Sequence, residues 1–148
     1  MSYERWLKDR LIKKQAPDHD QITKQLSRAS KDLRTAEALS SIDRIWSFTI
    51  AYHAMIRAGR AFMFAKGYLP TTFNPHKTIV EFTREALGAQ YGDLILRFDR
   101  MRRKRHDFIY ESANHTTERE ALAAIETAQD LIRRIRECLG DEYSKKLI

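Results

Sequence analysis

One cysteine, Cys138, stands among 148 residues. That excludes an intrachain disulfide and a cysteine-rich zinc site, and an unpaired thiol fits a reducing cytoplasm, the expected location. Glycine and proline are scarce, at 5 and 3 residues. A fold of many strands needs turn residues at short intervals and has too few here. No apolar run approaches the ~20 residues of a membrane span, and the opening "MSYERWLKDR" is too charged for a signal peptide. No membrane association is expected. A His-Glu-x-x-His pair, a Gly-rich phosphate loop and a Gly-x-Ser-x-Gly elbow are all missing. Neither a metal, nor a cofactor, nor a serine nucleophile is therefore expected.

What remains is rich in two things. Hydrophobic residues at 43% and charged residues at 32% are the mixture that amphipathic helices need to close one core, and the length suits one domain. The net charge of +7, with a pI near 9.7, favours a polyanionic partner such as RNA, DNA or an acidic protein.

Helical periodicity runs along most of the chain. Trp6 to Lys14 reads as a short helix, broken by "APDHDQ", where Pro17 stops continuation and Asp18 or Asp20 can cap a new start. Ile22, Leu26, Ala29, Leu33 and Ala36 then step by four and three to near Ser40. The most apolar stretch follows, with Ile45, Phe48, Tyr52, Met55, Gly59, Phe62 and Met63 on one face, and should be central. Gly67 reads as a left-handed stop and "YLPTTFNP" as a loop. Asn74 before Pro75 opens a helix with Ile79, Phe82 and Ala86 inward, ending at Gly88. Leu94, Phe98, Met101, Arg105 and Phe108 mark the next. Thr117 with Glu120 forms a capping box for the last, whose stripe is Leu122, Ile125, Ala128, Ile132 and Ile135, stopped by Gly140. The expected fold is all-α: an antiparallel four-helix bundle with an additional short N-terminal helix. The expected division is an N-terminal short helix or arm at 1–17, the bundle at 18–140 and a tail at 141–148.

Chemistry concentrates in "RMRRKRHDFIYE", Arg100 to Glu111. Asp99–Arg103 and Arg103–Asp107 can pair along a helix, while Arg102, His106 and Tyr110 share a face. A solvated, partly paired surface is the plain reading of such a run. Arg105 argues for more, because it occupies an apolar seam position where an unpartnered guanidinium is costly. Clustered arginines suit phosphate, since the planar fork bonds two oxygens at once. Arg57 and Arg60 extend the positive field if their helix packs here. His53 reads mainly as a core histidine, His76 as a loop histidine, and His19 and His115 form no pair with metal-ligand spacing.

The stretch "AYHAMIRAGRAFMFAKGYLPTTFNPHKTIVEF", followed by "DRMRRKRHDFIYE", resembles the HEPN-domain family from roughly Leu26 to Leu139. That resemblance implies an all-α bundle and a toxin or defence ribonuclease, often partnered by a minimal nucleotidyltransferase antitoxin. Active members carry Arg, a polar residue, a few variable residues and His, and two such motifs meet in a homodimer cleft that cuts RNA without metal, leaving a cyclic phosphate. On this pattern Arg105 matches the arginine, His106 its polar neighbour, and Tyr110 stands in the histidine's place. A phenol, with a pKa near ~10, is a poor base at neutral pH, but it can hydrogen-bond or stack. A second alignment pairs Arg100 with His106 as general base or acid. Arg102, Arg103, Lys104, Arg57 and Arg60 are the expected phosphate contacts. Two functions follow: a metal-independent endoribonuclease using Arg100, Arg105, His106 and Tyr110, or a binding module holding RNA, a nucleotide or an acidic partner in the same cleft.

Overall fold

Aspartates begin the first two long helices. Asp18 accepts the Gln21 backbone N–H at 3.1 Å, and Asp43 that of Trp46 at 3.1 Å, each satisfying a donor that a helix start leaves open. In the computed structural model, which describes residues 2–110, 115–140 and 143, these caps start α2 (His19–Leu39) and α3 (Arg44–Ala65). A short α1 (Ser2–Lys8) precedes them; α4 (Pro75–Leu87), α5 (Gly92–Tyr110) and α6 (Glu118–Leu139) follow. The capping box at Thr117 and Glu120 is formed in full, and Gly67, Gly88 and Gly140 all take positive φ at helix ends.

α3 is apolar almost all round and sits at the centre, touching α2, α4, α5 and α6. Its fully buried Tyr52, Met55, Phe62 and Met63 form the core with Leu26, Phe82, Phe98 and Leu131. Buried Ser47 donates to the Ala36 carbonyl at 2.6 Å and ties α3 to α2. α4 crosses α3 closely at Gly59, where a Cβ would lie 2.5 Å from Ile79 Cγ2 and 3.1 Å from Thr83 Oγ1.

The class is all-α, with departures from the sequence reading. Among the described residues there are five helices of 13 or more residues behind α1, not four. Each of the five matches a segment that the sequence marks separately, α4 included, so only the total of four is corrected; α4 is set off by Asn74, left-handed (φ 49°) before it, and by Gly88 (φ 95°) at its end. Asn74 makes no side-chain cap; its backbone conformation, not its amide, sets the entry. The N-terminal helix stops at Lys8, since Arg10 is also left-handed (φ 59°). Ile12–Lys14 instead forms β1, antiparallel to β2 (Tyr68–Pro70) inside the segment read as a loop, with Ile12 opposite Pro70. This ribbon and α1 lie against the bundle, Tyr3 stacking on Phe82 at 4.7 Å. Ile45 and Leu122, expected inward, are 38% and 48% exposed. On α6 the expected Ile125, Ala128, Ile132 and Ile135 are buried, and Ala121, Ala124 and Leu131 widen the stripe in place of Leu122.

Candidate active site between α3, α4 and α5

The central helix carries Tyr52 and His53 next to each other, and the first turn of α4 carries His76. The two elements meet through a hydrogen bond of 2.9 Å between the Tyr52 hydroxyl and His76 Nδ1. Because the phenol O–H is the readier donor, the His76 proton belongs on Nε2. The His53 and His76 rings lie edge to face, with centroids 6.1 Å apart. From α5, Arg102 and Arg105 act on this group. Burial raises the Tyr52 hydroxyl well above the ordinary phenol range, against the opposing pull of Arg102 and Arg105, so it stays protonated. Burial, and after it Arg105, His53 and Arg102, push His76 down to about 4. His53 is lowered by burial first, then by Arg105 and Arg57, with Asp32 acting the other way. Both imidazoles are therefore neutral at neutral pH.

The basic run of α5 is divided among three surroundings. Buried Asp99 takes Arg102 Nε at 2.9 Å and Arg103 at 2.7 Å, the second being the expected four-residue pair. Lys104 pairs with Glu120 of α6. It lines a groove of about 380 Å³ with Arg97 and Arg100. Arg105 faces neither Asp99 nor that groove. It is half-buried, its Nε is out of contact with solvent, and that nitrogen has no hydrogen-bond partner among the described residues. It lines a cleft of about 280 Å³ between α3 and α5 with Ile45, Trp46, Thr49, His53, Phe108 and Ile109.

The other sequence candidates lie apart from this cleft. His106 is exposed on α5, as is Arg100. Tyr110 closes α5, and its side chain lies outside the described residues. Arg57 turns toward α2, bonding Asp32 at 2.9 Å and Gln25 at 3.1 Å, with Arg28 also on Asp32 at 3.1 Å. Arg60 is exposed along a groove shared with Gln21 and Gln25 of α2. A roomier groove of about 720 Å³, between α2 and α6, mixes Arg34, Arg133 and Arg136 with Glu37 and Glu137. The structure thus joins Arg102 and Arg105 to Tyr52, His53 and His76. It places Arg100, Lys104 and Arg60 on other faces, and holds Arg57, one turn beyond His53, on Asp32 and Gln25 of α2.

Sequence reasoning missed Tyr52 and His76 as partners and gave His53 little weight. One signal was available: Tyr52 falls on the core stripe, and a buried phenol requires a hydrogen-bond partner. No group of three or more metal-binding side chains is placed for an ion among the described residues. None of the described helices is long and apolar enough to cross a membrane.

A central apolar helix, crossed by neighbours that bring two neutral imidazoles beside a guanidinium, defines an all-α domain with a basic, imidazole-bearing cleft. Residues 22–138 match the HEPN domain family, and the chain belongs to it. Nothing among curated proteins or solved structures matches the chain.

Proposed function

We propose that the chain is a metal-independent endoribonuclease whose working face is the α3–α5 cleft. The observation that carries this reading is Arg105: a guanidinium held half-buried, its inner nitrogen unpartnered among the described residues, beside a neutral histidine. A desolvated cation in need of oxygen acceptors is a ready phosphate ligand, and it stabilises the charge that builds up as a phosphodiester is attacked. Membership in the HEPN family supports a homodimer acting as the toxin or defence component of a pair, with a minimal nucleotidyltransferase as its restraining partner.

A binding module is the second reading, and one observation favours it: Asp99 and Glu120 already engage Arg102, Arg103 and Lys104, leaving the α5 run less free charge than its sequence suggests. The deciding assay is cleavage of mixed-sequence RNA in excess EDTA. Ribonuclease action gives 2′,3′-cyclic phosphate ends and falls at least 100-fold in Arg105→Ala, the order expected when a charge-stabilising group is lost. RNA bound but left intact by the purified dimer would establish the module instead.

A further inference from the structure

The α3–α5 cleft is lined by an ordered series of groups that phosphate binding alone does not require. Trp46, Thr49 and His53 follow one another at three- and four-residue steps and so line one face of α3, spanning on the order of 10 Å. Arg105 acts on the His53 end. Trp46, in the first turn, is 58% exposed, a large aromatic surface left in water beside Ile45 and Ile109. Phe108 adds further apolar lining and packs edge-on against Phe48 at 5.3 Å.

We propose that this cleft is a single-nucleotide subsite in which Arg105 binds the scissile phosphate, the Trp46 ring stacks a base, and His53 takes the proton from the attacking ribose 2′-hydroxyl. The assignment rests on the ribonuclease reading and gives the base role to a histidine outside the arginine-rich motif. Its lining has the polarity of a nucleotide: aromatic at one end, cationic at the other, with the Thr49 hydroxyl between. An apolar protein surface pressed onto Trp46 would strand Arg105 and His53 without partners, which is costly. The cleft is small for a ligand pocket, so it takes one unit and leaves the rest of the strand outside.

In the reaction the 2′-oxygen attacks phosphorus as His53 accepts its proton. The O2′–P bond forms and the P–O5′ bond breaks. The departing 5′-oxygen takes a proton from solvent water, and the imidazolium returns its own to water afterwards. The products are a 2′,3′-cyclic phosphate and a 5′-hydroxyl. His53 is fit for the base role because it is neutral before substrate arrives: Arg105 from α5 and Arg57 on its own helix oppose its charge, Asp32 from α2 favours it, and His76 from α4 is itself uncharged. Its ring nitrogens have no hydrogen-bond partner among the described residues, whereas His76 Nδ1 is occupied by Tyr52.

The test uses two short RNAs, one all-ribose and one with a single 2′-deoxy substitution at the cut site, which binds but cannot react. Trp46→Ala and Arg105→Ala should each weaken binding of the uncut probe at least tenfold. His53→Gln should hold it within about threefold of wild type, which also shows that the variant is folded, yet cut at least 100-fold more slowly. His106→Ala should retain a measurable rate, and the acid limb of kcat/KM should lie below the ordinary histidine range of ~6.5. If wild type cuts and His53→Gln cuts equally well, the assignment of His53 is overturned while the ribonuclease stands. If wild type binds the probe through Trp46 and Arg105 but cuts no RNA, the ribonuclease reading and the role of His53 fail together. If Trp46→Ala binds as wild type but no longer dimerises, the ring belongs to a contact between copies and the subsite is overturned.

Discussion

Tyr52 carries a hydroxyl to a fully buried position, and the partner that makes this tolerable, His76, comes from another helix at 2.9 Å. The arrangement has a pH signature. The unfolded His76 titrates near 6.5 and the folded one near 4, so between those values the unfolded chain holds a proton that the folded chain refuses. Stability is then complete above about 6.5 and is lost as pH falls toward about 4. Denaturant unfolding from pH 7 to 4 should show a flatter loss for His76→Gln than for wild type. Parallel curves would mean that His76 is not held neutral. The sequence made Arg105 visible, as a cation on an apolar seam, because that is a matter of spacing along one helix. It could not show the Tyr52–His76 bond, which depends on how α4 approaches α3.

Between elements, Gly59 decides how closely α4 can lie on α3. With a Cβ only 2.5 Å from Ile79 Cγ2, Gly59→Ala forces the helices apart, and overpacking of this kind costs about 1–3 kcal/mol. A smaller loss in chemical denaturation, or a gain from the helix propensity of alanine, would show that the crossing yields easily. Because His76 rides on α4, the same variant should also reduce the pH-dependent loss assigned to that residue. Caps and stops were legible beforehand: an aspartate start at Asp18 or Asp20 (the structure uses Asp18), the Thr117–Glu120 box, and Gly67, Gly88 and Gly140 all act within a turn of themselves. The β1–β2 ribbon was not, because residues such as Ile12 and Pro70 are brought together by the fold and neither short segment reads as a strand alone.

Across the whole molecule, the N-terminal segment is part of the packed structure. Tyr3, Trp6 and Leu7 are half-buried, Ile12 is buried, and Tyr3 lies flat on Phe82. Removing residues 1–15 should leave a helical protein with stability lower by on the order of 3 kcal/mol, the contribution of a few partly buried apolar side chains. An unchanged Tm would show that the bundle is indifferent to the ribbon. The cations of α3 and α5, for their part, do not share one face. Arg57 is bound into α2 and Arg102 and Arg103 share Asp99, while Arg97 and Arg100 line a different groove from Arg105.

The sequence alone determined the helical class, the Thr117–Glu120 capping box, the glycine stops and the central apolar helix, because each follows from periodicity and chemistry within a few neighbouring residues. It also singled out α5 as the helix that carries the arginines. The tertiary structure decided that Arg105 is the α5 arginine whose Nε is buried without a hydrogen-bond partner among the described residues, and that Tyr52, His53 and His76 stand beside it. Those are relations between α3, α4 and α5, set by the left-handed turn at Asn74 and the close crossing at Gly59. No spacing along a single helix encodes them.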